Sequence, residues 1–393
     1  MNKSIIRYIL GHVFLLPSCL MLLPALVGLI YLEHEAVAYL IVASACFLSG
    51  FIMTRNKPEN TTLYLKEGCI STSLAWILLS LIGCLPFFVT GEIPSFTDAL
   101  FETISGFTTT GASILANVEG LSHCSLLWRS FTHWIGGMGV LVFLLAIVPL
   151  SGGSNINLMR AESPGPSVGK LVPKMKYFGL TLIQFILLII GRMPVFDAVC
   201  TAFGTAGTGG FGIKNDSIAG YSPYIQWVTT VFMLLFGVNF NAYYFILFGN
   251  AKKAFKMEEV RWYFIVVIVS AAIITIELCR AATPFATALR DSAFQVASII
   301  TTTGFSTTDF NLWSGTCKTI LVILMFIGAC AGSTGGGMKV SRFVILFKTV
   351  FKELDSYIHP KRIQKLALDG KPIDHDVVRS INVYFITFAV IFV

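Results

Sequence analysis

TDALFETISGFTTTGAS (97–113), FDAVCTAFGTAGTGGFG (196–212) and RDSAFQVASIITTTGFS (290–306) are three versions of one pattern. Each has an Asp, then a small residue, a mixed apolar segment and a Thr/Gly-rich end. Asp98 precedes Gly111 by the same distance that separates Asp197 from Gly210 and Asp291 from Gly304. The pattern returns about every one hundred residues, which marks an internal repeat. One TTTG alone would read as a helix end or a turn. Three copies at fixed spacing require a common structural job.

The apolar segment of each copy is too short to cross a bilayer, which takes about 20 residues. A short helix that enters and turns back satisfies the spacing. Asp98, Asp197 and Asp291 are N-cap residue types, able to accept free backbone N–H groups at a helix start. The far end of such a helix carries partial negative charge and favours a cation. Gly permits left-handed backbone and close packing in the returning segment. Carbonyl oxygens there can replace a cation's water shell. Irregular backbone at this depth must be buried in protein or line a wet cavity.

The surrounding chain fits a membrane. It has 393 residues, 55% hydrophobic and 12% charged, with a mean hydropathy of +0.77. Soluble domains carry about 25% charged residues. Soluble enzymes, disordered tails and nucleic-acid binders are therefore excluded. Apolar stretches fall near 8–31, 36–54, 68–90, 126–150, 176–194, 223–249, 261–283 and 316–350, and a ninth begins near 380. The first continues to about Tyr31 without a cleavage site, so it reads as a span and not a signal peptide. The chain is still apolar at Val393, which reads as a truncated product or fragment. With the N-terminus inside, 22 of the 28 Lys and Arg lie on the cytoplasmic side. Arg129, Arg192, Lys214, Arg280, Arg290 and Lys318 remain outside. That asymmetry is the positive-inside signature, and it accounts for the net charge of +7 without a nucleic-acid partner.

Two spans separate successive loops, so all three enter from one face and can ring a single axis. Inverted-repeat transporters need an odd number instead. The fold class is an all-α polytopic membrane protein, with repeated helix–pore loop–helix units around a central ion pathway. The nine Cys are dispersed without CxxC, and the six His lack ligand spacing, so neither set points to a metal site. No convergent His, Asp or Ser groups indicate an enzyme.

AGSTGGGMK (331–339) interrupts the eighth apolar run. Three adjacent glycines weaken a helix by about 1 kcal/mol each relative to Ala. They are expected to break the helix, with close helix packing through small residues as the alternative. A nucleotide P-loop is a poor match, because Met338 displaces Lys339 and no Ser or Thr follows directly. The polar 351–379 stretch reads as a cytoplasmic connector, an amphipathic helix and then a turn at Asp369-Gly370, with a partner-docking surface as the alternative. Arg129, His133 and Trp134 read as interfacial anchors. Glu102 is a candidate for concentrating cations at the mouth, and Glu277 reads as solvated. Asn239 and Asn241 either line an inner vestibule or make interhelical hydrogen bonds.

TTTGAS, GTGGFG, TTTGFST, RAESPGP (160–166) and AGSTGGGMK together resemble the TrkH/TrkG/KtrB superfamily of potassium-transporting membrane proteins, and RAESPGP points to the TrkH branch. The resemblance covers essentially the whole chain. It implies two N-terminal helices (1–58) and units at 59–155, 156–256 and 257–350. A connector (351–379) and the start of a fourth unit (380–393) follow, with the fourth pore loop absent from this sequence. It implies K⁺ as the transported ion, held by Thr109, Thr110 and Gly111, by Thr208, Gly209 and Gly210, and by Thr302, Thr303 and Gly304. Gly at 111 goes with K⁺ selectivity, whereas Ser there in some plant relatives goes with Na⁺. Gly212 departs from the Ser113 and Ser306 of the other loops. A gate would comprise Gly332, Ser333, Thr334, Gly335, Gly336, Gly337 and Lys339. Further implications are a homodimer in lipid, a cytoplasmic nucleotide-binding regulatory subunit of the TrkA/RCK type, and the bacterial inner membrane. No covalently bound cofactor is expected. A Na⁺- or H⁺-coupled symporter is the alternative mechanism, and a non-functional fragment the alternative status.

Overall fold

A backbone without water must bond within itself, so the apolar runs become helices. The computed structural model describes residues 2–58, 64–139, 172–359 and 365–392. RAESPGP and the later part of the fourth apolar run lie outside these residues. The chain divides into two compact units, Met1–Tyr221 with Thr303–Phe305, and Ser222–Thr302 with Ser306–Val393.

In the first unit, α1 (Lys3–Leu20) and α2 (Leu22–Ile30) form one apolar stretch, and α3 (Glu35–Thr54) returns beside it. Gly11 and Gly50 let α1 and α3 close. A Cβ on Gly50 would lie 2.8 Å from the Gly11 carbonyl oxygen. The first repeat follows as α4 (Leu65–Gly83), α5 (Leu85–Thr90), the short α6 (Phe96–Phe107) and α7 (His123–Met138). The second begins with α8 (Val172–Ile190) and the short α9 (Val195–Ala206).

The second unit opens on α10 (Pro223–Gly237) and α11 (Phe240–Leu247), then α12 (Ala251–Lys256). The third repeat comprises α13 (Glu258–Arg280), α14 (Phe285–Ile300), α15 (Gly315–Ile327) and α16 (Val340–Ile358). A two-residue hairpin turn joins β1 (Ala367–Leu368) to β2 (Lys371–Pro372) before α17 (His375–Phe392). Asp369 and Gly370 have φ of 51° and 75°, the left-handed pair that a tight hairpin requires. The predicted turn is therefore present, and the predicted amphipathic helix is the end of α16.

Five described helical stretches are long and apolar enough to cross a bilayer: Lys3–Ile30, Glu35–Thr54, Lys66–Thr90, Glu258–Arg280 and His375–Phe392. The apolar run at 223–249 is not one straight helix: α10 and α11 meet at 95°. Asn239 causes the break. Its side chain accepts the Asn241 N–H at 2.9 Å, capping a new helix in mid-run. Outward Leu, Ile and Phe on the spans, such as Leu26, Ile41, Ile52 and Ile268, present an apolar surface suited to lipid.

Candidate functional site

The three short helices begin at or just after a proline, not at the aspartates. The N-caps are Ser95, which follows Pro94, then Pro194 and Pro284. Asp98 and Asp197 sit in the first turn, while Asp291 lies mid-helix beside Arg290 at 3.1 Å. The N-cap assignment to Asp98, Asp197 and Asp291 is thus corrected. Pro194 and Pro284 take extended backbone at the cap, and a proline cannot continue a helix back through its own position. Asp98 and Asp197 still face the positive end of the helix dipole. The Asp197 carboxylate accepts the Tyr221 hydroxyl at 2.8 Å. Each returning helix also starts on a serine: Ser122, Ser222 and Ser314 accept the N–H three residues on.

At its inner end each short helix stops the same way. Thr109 N–H bonds back to Gly106 and Thr110 N–H to Ser105, at 3.1 and 2.9 Å. Thr208 and Gly209 repeat this onto Thr205 and Gly204, both at 3.0 Å. This is a Schellman ending, which demands a left-handed residue just past the helix. That residue is Thr109, Thr208 and Thr302, with φ of 56°, 52° and 57°. A β-branched residue there is strained, and its presence in all three copies marks a special site. Two residues on, Gly111, Gly210 and Gly304 have φ of 75°, 79° and 88°, while Thr110, Gly209 and Thr303 do not have positive φ. Alternating handedness turns successive peptide groups to one side.

The segments also meet. A Cβ on Gly111 would lie 2.0 Å from the Gly209 carbonyl oxygen, and one on Gly210 would lie 2.0 Å from the Thr303 carbonyl oxygen. The first segment therefore stands against the second, and the second against the third, at a separation only glycine allows. Among the described residues, no protein donor reaches the carbonyl oxygens of Thr109, Thr110, Gly111, Thr208, Gly209 or Gly210. The result is a set of unpaired carbonyl dipoles on converging backbone.

A buried brace on α7 holds the first two segments. Arg129 Nε donates to Glu102 at 2.7 Å and Nη1 donates to the Gly212 carbonyl at 3.1 Å. The guanidinium lies 4.2 Å from the Phe211 ring centre. Glu102 also accepts from the Ser113 hydroxyl and the Ile114 N–H, each at 3.0 Å. One turn along α7, His133 stacks on Phe211 at 4.1 Å and accepts its N–H at 3.4 Å. Arg129 and Glu102 are only 2% and 1% exposed, so neither the interfacial anchor nor the cation-concentrating reading holds. Gly212 supplies a backbone carbonyl to Arg129 where the first loop supplies the Ser113 side chain to Glu102. Sequence reasoning missed this brace. Its one signal was a lone Glu and a lone Arg inside apolar helices, where ionisable residues are expensive.

Two loop carboxylates fix the start of α7. Glu33 accepts the N–H groups of His123 and Cys124 at 2.8 and 3.1 Å and the His123 ring at 2.8 Å. Glu92 accepts the Ser122 N–H at 2.6 Å and the Ser125 hydroxyl.

In the second unit, the glycine-rich stretch does break the helix. Residues 328–339 separate α15 from α16, with Gly328, Gly332, Gly337 and Lys339 at positive φ. The break in α10–α11 supplies partners for the loop's backbone. Cys330 N–H donates to Gly237 at 3.0 Å, Phe240 N–H donates to Gly332 at 3.2 Å, and the Thr334 hydroxyl donates to Phe236 at 3.3 Å. Lys339 turns inward and donates to the Gly335 carbonyl. Gly336 N–H donates to the Thr302 hydroxyl at 2.6 Å. A Cβ on Gly335 would lie 3.0 Å from the Thr301 carbonyl oxygen. The loop therefore packs onto the end of α14 where the third segment begins. Ser333 bonds within the loop, to Cys330.

These features define a polytopic helical membrane protein with re-entrant, glycine-lined loops and an intramembrane break. A TrkH family profile, described as "Cation transport protein", matches residues 33–393. The Trk system potassium uptake protein TrkH of Salmonella typhimurium is 34% identical, covering 100% of this chain and 85% of that protein. Its counterpart in Escherichia coli K12 is 32% identical at the same coverage. The crystal structure of the potassium transporter TrkH from Vibrio parahaemolyticus superposes with a TM-score of 0.88 at 31% identity, covering 100% of this chain and 84% of that one. The chain belongs to the TrkH family of cation transport proteins. It is a transporter and not an enzyme.

Proposed function

We propose that the chain is the ion-conducting subunit of a bacterial potassium uptake system. The observation that carries this reading is the convergence of glycine-spaced segments, with carbonyls at 109–111 and 208–210 that no protein donor reaches. Such oxygens suit a dehydrated monovalent cation, because they supply ligands without fixed charge. Thr109, Thr110, Gly111, Thr208, Gly209, Gly210, Thr302, Thr303 and Gly304 form the filter. Gly332, Ser333, Thr334, Gly335, Gly336, Gly337 and Lys339 form the gate. The membrane potential drives entry, worth about 2.3 kcal/mol per charge at 100 mV.

The repeat units run 59–155, 156–256 and 257–350, after two helices in 1–58. The connector is 351–379, and a fourth unit begins at 380–393. A Cβ on Gly304 would meet nothing within 4 Å among the described residues, whereas Gly111 and Gly210 each face the next segment. This supports a ring whose next member follows the third. The N-terminus is cytoplasmic and the membrane is the bacterial inner membrane, as the inward Lys and Arg bias supports. The basic inner face docks a TrkA/RCK-type nucleotide-binding subunit, and two copies of the chain form a homodimer in lipid.

The test is Rb⁺ uptake in a bacterium lacking its own potassium uptake, using the chain continued through a fourth helix–loop–helix unit. Saturable uptake that K⁺ competes for, with growth at low K⁺, is expected. Uptake of an amino acid or sugar instead would overturn the reading.

A further inference from the structure

The gate loop has an acidic anchor that the filter and gate motifs do not include. Glu259, the second residue of α13, is buried at 4% exposure. One carboxylate oxygen accepts the Ala331 N–H at 2.5 Å and the Ser341 N–H at 3.2 Å. These amides flank the glycine run on both sides. The other oxygen accepts the Asn239 amide at 3.1 Å, and Asn239 is the residue that breaks α10 from α11. A single carboxylate thus holds both ends of the loop and the break that receives it.

The preceding residue faces a different element. Glu258 N–H donates to Asp369 Oδ1 at 2.7 Å, and Asp369 N–H donates back to Glu258 Oε1 at 3.2 Å. Asp369 is the left-handed turn residue of the β1–β2 hairpin. Lys348 of α16 pairs with Glu258 and also donates to the Ala367 carbonyl at 2.8 Å. The first residue of α13 is therefore tied to an exposed hairpin, and the second to the buried loop.

We infer that Glu259 is a positioning residue for the glycine loop, and that the Ala367–Pro372 hairpin acts on the loop through the Glu258–Glu259 pair. Displacing the hairpin shifts the start of α13, which carries the carboxylate binding both loop ends. The inference deepens the gate reading and rests on it for its functional meaning.

Amide hydrogen exchange on the purified chain tests the structural step independently of transport. In Glu259→Ala, the segment Ala331–Ser341 exchanges roughly tenfold faster, because two bonds to a charged acceptor are lost. Glu259→Gln retains one carbonyl acceptor and stays near the parent rate. Asp369→Ala, an exposed change in the hairpin, also speeds exchange in 331–341. It adds nothing in the Glu259→Ala background, the non-additivity expected of a shared route. Helix α7 serves as the unaffected control. Unchanged exchange in 331–341 for Asp369→Ala overturns the coupling even if Glu259→Ala does not fold. Additive effects of the two changes also overturn it. Ion flux through the same variants then tests the gate: faster exchange with unchanged flux leaves the positioning role standing and removes the gate reading.

Discussion

At Arg129 and Glu102 a full ion pair sits where neither partner meets solvent. Leaving one charge behind costs more than removing both, because an isolated buried ion has no compensation. Glu102→Ala should destabilise the folded chain by about 3–5 kcal/mol. The double change Glu102→Leu, Arg129→Met should recover most of it. Thermal unfolding in detergent checks both, and equal losses for single and double variants would contradict the pairing. This pair was barely legible in sequence, since Glu102 lies in one helix and Arg129 in another. Each alone reads as an exposed charge near a membrane surface. The shared left-handed glycines at 111, 210 and 304 were legible as a repeated position, because their residue type and spacing recur three times. The aspartates misled for a related reason. Their distance to the glycine is constant, but Pro94, Pro194 and Pro284 fix where the helices start.

Helix α7 carries the brace, so its placement matters more than its length. Glu33 and Glu92 hold its first turn from two different loops. Burial pushes the Glu33 carboxyl up, but the His123 and Cys124 N–H groups with the His123 ring outweigh it and leave it below its ordinary value. A carboxyl lowered in the folded state stabilises fully above its unfolded value. That contribution is lost as pH falls through the folded value. Glu33→Gln should cost about 1–2 kcal/mol at neutral pH. Its deficit should vanish in acid, where the parent carboxylate is protonated as well. A deficit independent of pH in thermal melts would remove Glu33 from this role. Among the elements, the bend between α10 and α11 escaped the sequence, since Asn239 and Asn241 alone do not show that the run breaks there. The break is visible only with the partner loop whose amides and carbonyls it satisfies.

Over the whole molecule, two kinds of irregular backbone are supported by different chemistry. The Thr/Gly segments at 109–111 and 208–210 are held by helix endings, glycine contacts and the Arg129 brace. The glycine loop is held by a second broken helix and a carboxylate. The repeat, the positive-inside bias and the break at 331–339 were all legible, because each depends on residue type at a spacing. The supports were not, because they pair residues far apart in the chain. The central claim is that closely packed backbone, not side chains, selects the ion. Gly111 tests it most directly, since its Cα faces the Gly209 carbonyl oxygen and a Cβ would come within 2.0 Å of it. A side chain there must push that carbonyl back and spoil the fit to K⁺. The measurement is the Rb⁺-to-Na⁺ uptake ratio of Gly111→Ser against the parent, both continued through the fourth unit. The ratio should fall as Na⁺ is admitted; an unchanged ratio, with uptake intact, would contradict the account.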